Sequence, residues 1–297
     1  MQSDTFSRCH PAVIFLYFTL VLVFSMFFMH PVSLAVSLVS ACVYAVLLGG
    51  RKALRFQLRW MLPLMLLAAV LNPAFSHQGA TVLAFFPTGN PLTLESILYG
   101  LAAAAMLGSV LMWFYCYNAV MTSDKFIYLF GRVIPALSLV LSMALRFVPR
   151  FKAQFGAVAE AQRSIGRDIS AGPLLRRLRT ALKIFSIVVT WALENAITTA
   201  DSMRSRGYGE RGRTAFSIYR FDARDRAALL WLIFCGAYVA AGALAHGMYF
   251  TYSPTLHGVS WQPITVSFQF VYLLLCLTPV LMEIYYRLTW RHIQARA

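Results

Sequence analysis

The stretch SMRSRGYGERGR, positions 202–213, places four arginines and three glycines within twelve residues. A guanidinium presents its donors in a fixed fork that suits carboxylate or phosphate, and glycine lets a second backbone come close. A related pattern, QRSIGRD, occupies 162–168, with Arg163 and Arg167 on either side of Gly166. Such charge could hold nucleic acid, grip lipid headgroups, fix the cytoplasmic side of a membrane, or dock another protein. Nucleic-acid binding calls for stacking aromatics among the cations. Tyr208 and Tyr219 are sparse, and Glu210, Asp222 and Asp225 would repel phosphate, so no nucleic-acid partner is expected. Anionic headgroups suit Arg176 to Arg179 better than a glycine-broken tip. Protein docking accounts for a rigid helix that ends in a guanidinium beside glycine.

Catalytic chemistry is harder to place. Glu95 and Glu283 lie near the ends of apolar runs and Glu194 stands alone. No H-E-x-x-H pattern, paired-carboxylate motif or G-x-x-x-x-G-K-[ST] loop occurs, so neither a zinc hydrolase nor P-loop nucleotide binding is indicated. His77 and His257 fall in uncharged loops and His246 near a span end, where structural roles are expected. The five cysteines (Cys9, Cys42, Cys116, Cys235 and Cys276) are scattered, without C-x-x-C spacing; they read as buried thiols rather than a disulfide framework or metal site. The expectation is a chain that is not an enzyme and carries no cofactor and no metal.

The elements that must position the arginines are membrane helices. The chain of 297 residues is 59% hydrophobic and 12% charged, too little charge for a soluble surface. Apolar runs at 12–29, 32–49, 60–76, 94–119, 228–247 and 264–285 each approach the ~20 residues that cross a bilayer. Residues 51–59 (RKALRFQLR) carry four positive charges, and 150–226 carries fifteen against seven negative. Residues 72–92 and 248–263 carry none. The excess of Lys and Arg places the basic segments and both termini in the cytoplasm, and six spans satisfy that parity. The stretches 133–149 and 184–200 have cations at both ends, and the second contains Glu194 and Asn195, costly in hydrocarbon. Either the two form a membrane hairpin or, as the favoured expectation, both are interfacial or cytoplasmic helices packed on each other. A helix is expected over 150–165, closed by Gly166, and another from Pro173 to Gly207, about 50 Å long. The first half of the latter places Leu174, Leu178, Leu182 and Phe185 on one face. The fold class is therefore all-α and polytopic, with about six transmembrane helices. The expected organisation is 1–124 as N-terminal membrane helices, 125–226 as a cytoplasmic or interfacial helical region, and 227–297 as a C-terminal membrane hairpin with a basic tail.

At ENAITTADSMRSRGYGERGRT the sequence resembles the second signature of the transmembrane T component of energy-coupling-factor (ECF) transporters, the cobalt-transport Q family. LNPAFSHQG with GNPLTLESILYGL is similar to that family's outer loop and following span, and AEAQRSIGRDI stands where its first signature belongs. The resemblance runs along essentially the whole chain. It implies a prokaryotic plasma-membrane scaffold with two long coupling helices, in the 125–226 region, that dock two cytoplasmic ABC ATPase subunits and move a small membrane S component carrying a vitamin or metal ion. The docking triplets it implies are Ser205-Arg206-Gly207, preceded by Arg204, and Ser164-Ile165-Gly166. The latter lacks the arginine, so that either Arg163 or Arg167 supplies the charge from a neighbouring position or the first contact is apolar. A membrane-embedded enzyme or lipid-handling protein with a headgroup-binding basic region is the alternative.

Overall fold

A computed structural model describes residues 4–76, 79–85, 91–131, 134–208, 219–245, 247–252, 255, 257–258 and 262–294, excepting the side chains of 135–138 and 290–293. The chain forms a polytopic α-helical membrane protein. Its described residues fall into two compact units, one running to Lys125 and resuming at Tyr219, the other Phe126–Ile218.

The first unit contains α1 (Pro11–Phe27), α2 (Pro31–Gly49), α3 (Arg51–Phe56), α4 (Leu62–Phe75), α5 (Leu94–Val120), α9 (Ala223–Leu244) and α10 (Pro263–Gln294). A π turn, Gln57–Met61, joins α3 to α4, making one helix of Arg51–Phe75. The short α6 (Ser123–Gly131) follows α5. Prolines open α1 and α2 at their first turn, where a missing N–H costs nothing. Two-residue to four-residue strands pair as hairpins in the two uncharged loops, Val82–Phe85 with Pro91–Thr93 and Phe250–Thr251 with His257–Gly258.

The core of this unit centres on Trp113, Tyr17, Tyr44 and Tyr272, all essentially without exposed surface. Each polar tip finds a partner, as a low-dielectric interior requires. Trp113 Nε1 donates to Ser37 Oγ (3.0 Å), Ser37 Oγ pairs with Ser25 Oγ (2.6 Å), and Tyr17 OH donates to the Cys276 carbonyl (2.9 Å). Glycines bring α4 against α5: a β-carbon at Gly100 would lie 2.8 Å from the Ala69 carbonyl, and one at Gly108 2.6 Å from Met65 Sδ. All five cysteines are free thiols, four of them buried. The span-end acids are occupied structurally. Glu95 accepts from Thr81 N and Oγ1 (3.2 and 2.7 Å), and Glu283 accepts from Thr5 N (3.0 Å) and Arg287 Nε (2.8 Å).

The second unit is dominated by α7 (Pro135–Ser164) and α8 (Leu174–Ser205). Here the structure corrects the sequence reading. Residues 133–149 and 150–165 were expected as separate elements, but one helix of 30 residues runs through Pro149. Proline removes one intrahelical hydrogen bond, to the Leu145 carbonyl, at a cost of ~3 kcal/mol, and a helix this long retains the rest. Six described helices are long and apolar enough to cross a membrane, Leu174–Ser205 among them; α1, apolar over 17 residues, lies at the lower end of the spanning range.

Candidate functional site

The two arginine-bearing tips close in the same way. At the end of α8, Arg206 is the capping residue (φ −88°, ψ 12°) and Gly207 follows with φ +70°. Gly207 N donates to the Arg204 carbonyl (3.0 Å) and Tyr208 N to the Met203 carbonyl (3.0 Å). At the end of α7, Ile165 is the capping residue and Gly166 follows with φ +78°. Gly166 N donates to the Arg163 carbonyl (3.0 Å) and Arg167 N to the Gln162 carbonyl (2.9 Å). Both are Schellman closures, which need a left-handed residue just beyond the cap and so favour glycine. Ile165 and Arg206 thus occupy equivalent positions. The remainder of the basic stretch, from position 209 to 213, lies outside the described residues, as do His77 and His246.

The surroundings of the two tips differ. Arg163 Nε pairs with Asp168 Oδ2 at 3.3 Å, and Arg177 Nε donates to the Ile169 carbonyl (2.9 Å). Asp168 is held below the usual carboxylate range, chiefly by the Ser170 backbone N–H, then by the Ser170 hydroxyl and the nearby Arg163 and Arg177. Arg163 is therefore engaged within its own loop, whereas Arg167 has no described ion-pair partner. Ile165 is 63% exposed.

At the other tip, Arg206 borders a cavity of about 830 Å³ between α7 and α8. One wall is α7: Leu139, Met143, Arg146, Phe147 and Arg150, at helical spacing on one face. The opposite wall is α8: Asn195, Thr198, Thr199, Ser202 and Met203, also one face. Three guanidinium groups border this space and, among the described residues, no carboxylate lines it. Arg150 Nη2 donates to Asn195 Oδ1 (3.2 Å), and its guanidinium lies over the Trp191 ring, 5.3 Å from the centroid. The Thr198 and Thr199 hydroxyls donate to backbone carbonyls of their own helix. The cationic donors at the cavity are the three guanidinium groups, of which Arg150 also holds Asn195. Arg146 and Arg150 were not singled out from sequence as site residues; their i, i+4 spacing and the Asn-x-x-Thr-Thr-x-x-Ser face were the available signals.

The two helices touch at mid-length, where Phe151 packs edge-on to Trp191 (6.0 Å) and Ile184 and Val188 are buried. The cavity lies between the first half of α7 and the last part of α8, and in the first half of α8 Leu174, Leu178, Leu182 and Phe185 are exposed. Among the described residues no group of three or more His, Cys, Asp or Glu side chains could hold a metal ion.

These features define a class: polytopic helical membrane proteins that carry a crossed pair of long helices with matching glycine-closed tips. The family model described as Cobalt transport protein matches residues 4–216, and the chain belongs to that family. It is also similar to proteins named energy-coupling factor transporter transmembrane protein EcfT. These include those of Lactobacillus helveticus (35% identical over 101 residues, 34% of this chain and 36% of the relative) and Exiguobacterium sibiricum (34% over 101 residues, 34% and 38%). EcfT 1 of Listeria monocytogenes is 33% identical over 98 residues, 33% of this chain and 37% of the relative. Each match spans little more than a third of the relative's length.

Proposed function

We propose that this chain is the transmembrane coupling subunit of an ECF-type importer, passing motion from cytoplasmic ABC ATPases to a membrane S component that binds a vitamin or metal ion. The observation that carries this reading is the pair of long helices closed by the same cap at well-separated points, one of which presents Arg206 beside a cationic cavity. Family membership and the EcfT names of the relatives support it over a membrane-embedded enzyme or lipid-handling protein. ATP hydrolysis belongs, in this reading, to two partner subunits, one engaged by each tip. Ser205, Arg206 and Gly207, with Arg204 behind them, form the charged contact; Gly166 with Arg167 and the exposed Ile165 form the other, while Arg163 braces the loop through Asp168. The uncovered apolar face of α8 offers surface to a hydrophobic partner, which suits a small membrane protein. The basic segments and both termini face the cytoplasm of a prokaryotic cell.

The test is copurification. Expressed with ATPases encoded beside it, the chain should form a detergent-stable complex, and Arg206→Glu should weaken docking by about 2–5 kcal/mol if the guanidinium meets a buried carboxylate. Recovery of the ATPases at the wild-type level from the Arg206→Glu protein would overturn the role given to this residue.

A further inference from the structure

The first unit contains a second cavity, and neither the family assignment nor the docking reading uses it. It is a groove of about 350 Å³ walled by α2 (Leu38, Cys42) and by the helix Arg51–Phe75, with Leu101 and Ala104 of α5 as its floor. Leu54, Leu58 and Leu62 run along its wall and Ala69 marks its far end. From Leu54 to Ala69 the helix rises about 22 Å, more than the ~15 Å of hydrocarbon in one leaflet. Gln57 is the polar lining residue, and its Nε2 donates to the Cys42 carbonyl (3.2 Å), tying the two walls together. The π turn Gln57–Met61 lies at this level; such turns are frequent where a helix forms a binding surface.

The charge at one end of the groove identifies the occupant. Arg51, Arg55 and Arg59 repeat every fourth residue, forming a stripe beside Leu54, Leu58 and Leu62. They and Lys52 are exposed, and none takes part in a described ion pair. No Asp or Glu occurs in sequence between Asp4 and Glu95 to neutralise them. Trp60, 67% exposed, marks the headgroup level, where amphipathic rings collect. An α-helix with its side chains is about 10–12 Å across, several times too bulky for this volume over such a length, whereas a single acyl chain fits. A zwitterionic headgroup brings its own ammonium against the arginines; an anionic one does not.

We propose that the groove holds one acyl chain of an anionic phospholipid whose phosphate is bound by Arg51, Arg55 and Arg59. The site is independent of ATPase docking and stands or falls separately from it. It is tested by native mass spectrometry of the purified chain exchanged with phosphatidylglycerol or phosphatidylcholine of the same acyl composition. Phosphatidylglycerol adducts should persist to higher collision energy, and affinity should fall about fivefold for each of Arg51→Gln, Arg55→Gln and Arg59→Gln. Leu58→Trp or Leu62→Trp, which fill the groove and leave the cations intact, should abolish the preference, with thermal unfolding used to confirm that each variant is folded. Lys183→Gln, on α8, should change nothing. Equal retention of the two lipids, or retained preference in the arginine or groove-filling variants, overturns the proposal. So does a photocrosslinker at position 58 that captures a protein partner rather than lipid in the native membrane.

Discussion

Ile165 and Arg206 stand at the same point of two equivalent helix closures, so their side chains leave the backbone in comparable directions with opposite chemistry. The consequences can be separated by substitution. Ile165→Arg is expected to change stability by less than about 0.5 kcal/mol, because the residue is exposed and its backbone suits any side chain; thermal unfolding in detergent measures this. Gly207→Ala forces a β-carbon into the left-handed region at φ +70°, costing about 1 kcal/mol, and should increase hydrogen exchange in the last turn of α8. Arg206, Gly166 and Gly207 were legible in the sequence because glycine after a long uninterrupted helix is a strong stop signal. Arg146 and Arg150 were not. Their meaning depends on the face that α8 turns toward them, and one helix's periodicity does not contain that information.

The crossing of α7 and α8 rests on few residues. Ile184 has no exposed surface and Val188 is almost covered, while most of the apolar side chains in the first half of α8 are exposed. Ile184→Ala should therefore cost about 2–4 kcal/mol and raise hydrogen exchange across both helices, whereas Leu178→Ala, on the uncovered face, should leave exchange nearly unchanged. The long apolar runs of the first unit were plain in the sequence, since a bilayer demands about twenty of them in succession. The continuity of α7 was hidden by Pro149 and by cations on both sides of it, features that normally mark an end. The helical state of the basic run 51–59 was equally hidden; there the charge signalled orientation and said nothing about backbone.

In the first unit the residues before α1 tie distant elements together. Phe6 is fully buried, Lys125 Nζ donates to the Ser7 carbonyl (2.6 Å) and to the Val120 carbonyl (2.8 Å), and His10 N donates to Asp225 Oδ1 (3.2 Å). Asp4 accepts from Tyr44 OH (3.1 Å) and faces the Glu283 carboxyl. Burial first, and the hydrogen-bonded Glu283 carboxyl second, push Asp4 up to about 7 from an ordinary 3.8. A carboxyl raised in the folded state favours folding while protonated. The contribution is full below about pH 4 and is lost as the pH rises through about 7. Thermal unfolding between pH 4 and 8 should therefore show stability falling with pH in that window, and Asp4→Asn, which stays neutral, should flatten the trend. Five elements share these contacts, so the effect belongs to the unit rather than to one helix.

The crossing at Phe151 and Trp191 divides the helix pair evenly. From Phe151 to Ile165 is about 21 Å of helix, and from Trp191 to Arg206 about 22 Å. In the docking role proposed above, a rotation of the helix pair about that contact would displace the two tips by similar distances.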